Sequence, residues 1–471
     1  MPKKYDGDTK KITELITRAG EKARRETKGA PEPGLTKPIN WPVSCTVGPG
    51  LEGAIACESK IGYVNGTKGW LIYRGYDIFD LCAHSNFEEV SYLLLHGNLP
   101  TESQFKEYKQ KLTKYRNLNK TMRFFMNYPV EKMNAMSALR IGSHLMRHEL
   151  TYADTASYKH DESRIISSDE DSIAMETKPM GEKNAIYGFK RNKAIKKLKD
   201  ISSGLQSATG IESCYHLISG VATVAAAVSR LLEGKLPIEP DPELSHAANL
   251  LYMMTGRKPT PLEERIMDVS LILHADHGMN ASTFASMVVA STLSDIYFSV
   301  GAGIAALNGP LHGGANEYVL YTLQEIEKPE NVKKWVKSAL KNKKKIMGFG
   351  HRVYKSYDPR ARVLAPLAKY LAQKDPESQA LFNTARALEK EVSVAFGAKK
   401  KIFPNVDFYS GIVYSCLNIP PEMFTTIFAV SRVSGWTARV LEYLENNRIF
   451  RPRAMYTGAF DRKVVSMGRR K

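Results

Sequence analysis

The chain has 471 residues, 43% hydrophobic and 25% charged, the balance of a soluble globular protein with a sizeable core and room for more than one folding unit. Its net charge of +18 sits largely in patches such as 190–199 and 341–345, without basic–aromatic alternation or a groove-reading motif. A solvated basic surface or small polyanionic substrates therefore account for it, and nucleic acid is not an expected partner. Five scattered cysteines (Cys45, Cys57, Cys82, Cys214, Cys416), none in C-x-x-C spacing, argue against a disulfide framework and a structural zinc site and fit a reducing compartment.

In chain order, residues 1–40 read as an extension: a short helical stretch (Ile12, Leu15, Ile16, Ala19) followed by the Pro/Gly-rich linker Gly29–Gly34. It lacks a secretory apolar region, and Asp6, Asp8 and Glu14 are unlike an acid-poor transit peptide, so a cytoplasmic location is expected. A β-hairpin follows, Ile61–Val64 and Trp70–Tyr73 around Asn65-Gly66, one of few strand signals in the chain. Asn86 then caps a helix with Glu89 at the capping-box position, and Gly97 and Pro100 stop it.

Residues 150–208 break the helical pattern. An acidic cluster (Ser167–Asp171) precedes a basic one (Lys190–Lys199) with sparse apolar residues, as in an inserted, partly disordered surface segment. It could fold back on itself, bind a partner or do nothing; the last is the default reading.

Beyond it the helical period returns. Leu217, Val221, Val224, Val228, Leu231 and Leu232 form an apolar stripe ending at Gly234. Pro261-Leu-Glu-Glu opens another helix through Ile266, Val269 and Leu273. No uninterrupted apolar run reaches transmembrane length; the best, about Ala281 to Leu307, is interrupted by Ser282, Thr283, Ser294 and Asp295 and reads as one long buried helix. Further stripes over 317–325, 360–372, 379–395 and 421–444 make the fold mainly α. Gly301 and Gly303 read as close helix packing rather than a cofactor loop.

Three blocks carry the chemistry: Gly309–Asn316 with His312, Gly348–Arg352 with His351, and Pro404–Gly411 with Asp407. Each puts a titratable group in a Gly- or Pro-marked bend, where backbone N–H groups are exposed and a ligand can approach. Two imidazoles and a carboxylate can move a proton off a weak carbon acid and polarise a carbonyl. Gly309-Pro310 allows His312 a helix N-terminus, whose dipole would lower its pKa. His277 lies where one helix ends and a Ser/Thr-capped one begins, and arginines at 352, 360, 432, 451 and 453 offer bidentate grips for carboxylate or phosphate. His274, one turn before His277, reads as a buried structural residue. No metal site is expected, because His274, Asp276 and His277 lack an i, i+4 histidine pair.

From Gly50-Leu-Glu-Gly-Ala-Ile-Ala through Tyr73-Arg-Gly-Tyr-Asp-Ile78 to Tyr456-Thr-Gly458, the chain resembles the citrate synthase family. The blocks Met347–Arg360 and Gly309–Asn316, followed by Asp407, are the specific part of that resemblance. It implies a two-domain, mainly α enzyme that joins an acyl-CoA to oxaloacetate and hydrolyses the thioester, with no cofactor. By similarity, Asp407 removes a methyl proton from acetyl-CoA, His312 hydrogen-bonds the thioester oxygen, and His351 polarises the ketone of oxaloacetate. His277, Arg360 and Arg432 resemble oxaloacetate-gripping residues, and Arg451 the one entering from the neighbouring subunit of a homodimer. Ile346, Met347, Gly348, Phe349 and Gly350 resemble the loop whose backbone recognises the adenine of CoA.

The expected division is a large domain of 41–312 with 417–471 and a small one of 313–416, closing over a cleft. Citrate synthase using acetyl-CoA is the first reading. A 2-methylcitrate synthase using propionyl-CoA shares every catalytic block, since one methylene is worth only about 1–3 kcal/mol in a pocket. An inactive basic binding scaffold is the reading from another class, opposed by the intact titratable set.

Overall fold

The first helix, α1 (Gly7–Glu26), buries Ile12, Ile16, Gly20 and Ala23 on one stripe. That stripe lies against α2 (Ile78–His84) and, far along the chain, Pro359–Ala372. A Cβ on Gly20 would stand 3.0 Å from the Phe79 side chain, so glycine permits the close approach to α2 without a shift of that ring. The computed structural model describes residues 7–30, 36, 39–149, 210–397, 402–459, 464 and 467. The charged segment 150–208 lies outside the described residues.

The hairpin forms as β1 (Gly62–Asn65) and β2 (Trp70–Tyr73), with Asn65 opposite Trp70. The loop is four residues long rather than a two-residue Asn-Gly turn. Asn65 Oδ1 accepts the N–H groups of Thr67 and Lys68 at 3.0 and 2.8 Å, which uses the asparagine as an Asx turn instead. A third strand, β3 (Tyr76–Asp77), adds through a two-residue turn at Arg74 and Gly75, both at positive φ. Two residues are too few to leave a periodic signal.

Next come α3 (Phe87–His96), α4 (Glu102–Tyr115), α5 (Asn119–Phe125) and α6 (Ala135–Leu145). Asn86 caps α3 by accepting the Glu89 N–H at 2.9 Å, but the Glu89 carboxylate accepts from Ser85 Oγ, so only half of the capping box forms. Gly97, at φ 91°, closes the helix.

The central helix is α7 (Ile211–Leu232), buried without interruption from Ser213 to Ser229. Among the described residues it is the one helix long and apolar enough to cross a membrane, and 89% of its apolar window is buried by protein. Around it pack α4, α6, α8 (His246–Thr255) and the long α17 (Phe424–Leu444). The helix α9 (Pro261–His274) starts in a full capping box between Thr260 and Glu263.

The stretch expected as one buried helix is two: α10 (Ala281–Ser291) and α11 (Ile296–Leu307), packed on each other. The chain turns between them with Leu293 at φ 64°, and Asp295 caps α11 by accepting the Phe298 N–H at 3.1 Å. Ser294-Asp295 was thus a start signal rather than a polar blemish. Gly303 lies with its backbone against Ser286 and Trp436, where a Cβ would clash, as close helix packing requires.

The remaining helices are α12 (Ala315–Ile326), α13 (Val332–Lys341), α14 (Pro359–Ala372), α15 (Pro376–Val392) and α16 (Val406–Cys416). The last of these is held between α12, α14 and α15, while α17 packs on α3, α7, α9, α10 and α11. The bends between these helices carry the candidate site.

Candidate active site

The turn after α9 sets His277. Asp276 bonds Arg439 on α17 at 2.7 and 2.8 Å, accepts the Gly278 N–H at 3.0 Å, and its backbone oxygen accepts the Tyr73 hydroxyl at 2.8 Å. Burial alone would raise that carboxyl, yet Arg439 holds it below its ordinary value, so the ion pair persists across neutral pH. The turn is pinned on three sides. His277 Nε2 meets the Tyr354 hydroxyl at 3.2 Å, and its ring packs edge-on against His351 with centroids 5.1 Å apart. Two histidines 74 positions apart in sequence are neighbours.

His351 occupies a bend in which its own Nδ1 accepts the N–H groups of Val353 and Tyr354 at 3.0 and 3.1 Å. Those bonds leave the ring proton on Nε2, the atom that can donate to a ligand. Burial, then the charge of Arg360, push its pKa down to about 4, so it donates as neutral imidazole at pH 7.

His312 shows the complementary arrangement. Its Nε2 accepts the Ser282 N–H at 3.2 Å and lies 2.8 Å from Ser282 Oγ, which puts the proton on Nδ1. The helix N-terminus it touches is that of α10, not the helix that follows it in sequence, whose N-cap is Gly314. The sequence-based expectation had the wrong helix, because a bend can turn the side chain away from its own downstream element. Burial, followed by Arg432, pushes the His312 pKa down to about 4.

Asp407 sits in the first turn of α16, with Asn405 as N-cap accepting the Asp407 N–H at 3.1 Å. The residue is half-buried, but Oδ1 is shielded from solvent and has no hydrogen-bond partner among the described residues. Burial pushes its pKa up to about 6, against the opposing pull of Arg360. A carboxylate with an unspent lone pair and raised basicity is suited to taking a proton.

Pro404–Asp407 is zipped to the His351 bend: Gly350 N–H donates to Phe403 O at 2.8 Å, Asn405 N–H to Gly348 O at 2.9 Å, and Asn405 Nδ2 to Gly350 O at 3.0 Å. Gly348 and Gly350 are at φ 79° and 82°, and a Cβ on Gly348 would strike Val319 and Phe408. In the same loop Ile346, Met347, Phe349 and Gly350 are partly exposed beside His351, while Gly348 is buried.

Two buried arginines complete the cluster. Arg360 gives Nε and Nη2 to Asp358 at 3.1 and 2.8 Å, and Asp358 in turn accepts the Val406 N–H at 3.2 Å. Burial opposes its charge, but Asp358 more than offsets that and raises the Arg360 pKa. Arg432 on α17 donates Nε to His274 O at 2.5 Å, while among the described residues its buried Nη2 has no hydrogen-bond partner and no carboxylate pairs with it. Burial pushes it down to about 10, still cationic at pH 7. A buried guanidinium with an unmatched donor fits an anionic ligand.

His274 itself is fully buried with Nδ1 on Ser270 O at 2.7 Å, a structural residue whose carbonyl steers Arg432. The structure thus gathers His277, His312, His351, Arg360, Arg432 and Asp407. Arg451 is not among them: it is exposed beyond α17, with no bond to the others among the described residues. Tyr354, Ser282 and the Asp276–Arg439 pair were not foreseen as site-forming residues. Tyr354 left a trace inside the Met347–Arg360 block, and Asp276 and Ser282 stand beside His277 in the sequence without their partners being legible there.

A family model described as "Citrate synthase, C-terminal domain" matches residues 50–453. The chain belongs to the citrate synthase family. A citrate synthase of Deinococcus radiodurans is 38% identical over 418 residues, covering 89% of this chain and 97% of that one. Among solved structures, Pyrobaculum aerophilum citrate synthase aligns with a TM-score of 0.72 at 38% identity, covering 93% of this chain and 100% of that chain. The Thermoplasma acidophilum citrate synthase, solved as a ternary complex with carboxymethyl coenzyme A and oxaloacetate, aligns at 0.73 and 34% identity over 91% of this chain and 100% of its own. The chain is a transferase of the citrate synthase type with that family's helical fold.

Because His312 and His351 lie near 4 and Asp407 near 6, Asp407 is the one of these three groups that titrates in the working range. Asp407 must be ionised to act as a base, so kcat/KM for acetyl-CoA should fall about tenfold per unit as pH drops below about 6 and stay level just above it. A pH–rate profile that runs flat through 6 contradicts this assignment.

Proposed function

We propose that the enzyme condenses acetyl-CoA with oxaloacetate and hydrolyses the resulting thioester to citrate and CoA. The observation that carries this reading is the division of tautomers and charge in one cluster: Nδ1–H on His312, Nε2–H on His351, and a raised, unbonded carboxylate at Asp407. A thioester methyl proton is far too weakly acidic for an unaided carboxylate. Abstraction by Asp407 requires a donor fixed where negative charge develops, and His312 Nδ1–H supplies it from a ring already held by Ser282. A neutral donor matches an enol better than an imidazolium would. The carbon nucleophile then attacks the oxaloacetate ketone, whose developing alkoxide His351 Nε2–H receives. Arg432 and Arg360, with His277, orient the dicarboxylate, and the 346–350 backbone takes the adenine of CoA.

Oxaloacetate and acyl-CoA are the partners in this reading, and no metal or cofactor has a role. Domain closure between 313–416 and the rest of the chain would exclude water and raise the basicity of Asp407 further. The working location is the cytoplasm.

The reading includes a homodimer in which Arg451 serves the neighbouring subunit's site. Its exposed position, and the exposed apolar residues Leu293, Phe298, Ile449 and Met455 near α10–α11 and the C-terminal arm, support this. Arg451→Ala should weaken oxaloacetate binding. Co-expressed Arg451→Ala and Asp407→Ala chains should recover up to about a quarter of wild-type activity, since a mixed dimer holds one intact site. No recovery from the mixture, or a fully active Arg451→Ala enzyme, refutes the cross-subunit role.

The acyl group is tested by comparing kcat/KM for acetyl-CoA and propionyl-CoA. A clear preference for acetyl-CoA is expected, and a decisive preference for propionyl-CoA replaces this reading with 2-methylcitrate formation.

A further inference from the structure

Behind the site, on the side of α16 away from Asp407, lies a buried carboxylate that the reaction does not use. Glu389, on α15, accepts the Tyr357 hydroxyl on Oε1 at 2.6 Å and the Tyr409 hydroxyl on Oε2 at 2.5 Å. Arg386, one turn earlier on α15, bonds the same Glu389 Oε2 and donates to the Tyr409 oxygen at 3.0 Å. Tyr409 is buried and Tyr357 partly so, and loss of solvent holds both phenol pKa values far above the ordinary range, so they remain neutral donors.

The two tyrosines belong to the two halves of the site. Tyr409 is two residues beyond Asp407, which at 100° per residue puts it on the opposite side of α16. Tyr357 precedes Asp358, the residue that grips Arg360 and accepts the Val406 N–H. One carboxylate on a third helix therefore ties the helix bearing the base to the loop that carries His351 and leads into Arg360 at the start of α14. Its leverage is large. A rotation of α16 by about 10° moves a carboxylate about 6 Å from the axis by roughly 1 Å, a displacement that can cost about a hundredfold in rate.

We propose that Glu389 is a positioning residue: with Tyr357 and Tyr409 it forms a two-hydroxyl clamp that sets the rotation of α16 and hence the aim of Asp407. The clamp touches neither substrate. It acts on the proton-abstraction step and leaves oxaloacetate binding to the arginines. The inference rests on Asp407 being the base, so Asp407→Ala is assayed beside the clamp variants.

The test measures kcat, the KM for oxaloacetate, thermal midpoint and the deuterium isotope effect with methyl-deuterated acetyl-CoA for Tyr409→Phe, Tyr357→Phe, Glu389→Gln and Glu389→Leu. Each Phe variant should lower kcat about 10- to 100-fold, leave the oxaloacetate KM within about twofold, and increase the isotope effect as proton transfer slows. Glu389→Gln, which keeps one acceptor oxygen, should lose less than Glu389→Leu. Should Glu389→Leu fail to fold, the Phe variants, which remove only a hydroxyl, decide the matter. Wild-type kcat and isotope effect in folded Phe variants, or a kcat loss with no change in isotope effect, overturns the clamp. If the clamp variants are wild-type while Asp407→Ala is dead, the clamp alone falls; an active Asp407→Ala removes the base and the clamp together.

Discussion

Asp407→Ala should lower kcat for condensation by about a hundred- to ten-thousandfold while leaving the dissociation constant of oxaloacetate within about threefold. The size of the loss follows from the lack of a substitute. Asp358, the nearby carboxylate, is committed to Arg360 and the Val406 N–H, and Arg360 outweighs burial to hold it below its ordinary value. His312 and His351 lie at about 4 and burial pushes His277 well below its ordinary value, so the histidines are too weakly basic to take over. In the proposed reading oxaloacetate binding is spared because the hydrogen bonds that fix the gripping arginines run to Asp358 and His274 O, not to Asp407. Stability should move the other way. A carboxyl raised to about 6 disfavours the folded state increasingly as pH rises above its unfolded value, with the full penalty above 6. The thermal midpoint of Asp407→Ala should therefore equal or exceed wild type at pH 8, with any gain fading toward pH 4. Steady-state kinetics, oxaloacetate titration and calorimetry check these points, and a variant with kcat within tenfold of wild type removes Asp407 from the base role.

Arg432→Leu should have the second large effect, on binding. Among the described residues its buried Nη2 has no hydrogen-bond partner and no carboxylate pairs with it; Asp276, facing it electrostatically, is bound to Arg439. Loss of one buried, charge-assisted grip on a carboxylate costs about 2–5 kcal/mol, or roughly 30- to 5,000-fold in oxaloacetate affinity. Removing an uncompensated buried charge should not destabilise the fold, because the variant strands no partner carboxylate. Arg360→Leu is the contrast: it would leave Asp358 buried and unpaired and should lower the thermal midpoint sharply. An Arg432→Leu enzyme with unchanged oxaloacetate KM contradicts its assignment to the dicarboxylate.

Much of this was legible in the sequence, unevenly. Long stripes such as Leu217–Leu232 announce a core helix because the period repeats over many turns. Gly348 and Gly350 mark bends that the backbone shows to be necessary, by positive φ and at Gly348 by close approach, and Pro404 marks the segment that bridges to Phe349. Local caps were also readable, as at Asn86 and Gly97. Long-range pairing was not: nothing near Ser282 says that its N–H will meet His312, and the dipole was assigned to the wrong helix for that reason. The same limit hid Tyr354 against His277 and the tyrosines on Glu389. Asp295 shows a different failure. Its capping signal was present, but the apolar content on both sides favoured a continuous helix.

The most direct measurement is release of free thiol by the purified enzyme from acetyl-CoA, with and without oxaloacetate, and with citrate identified among the products. Thiol release that requires oxaloacetate, matches citrate one for one and disappears in Asp407→Ala is the expected result. Release of thiol without oxaloacetate, or none with both substrates present, contradicts a condensing site built from His312, His351 and Asp407.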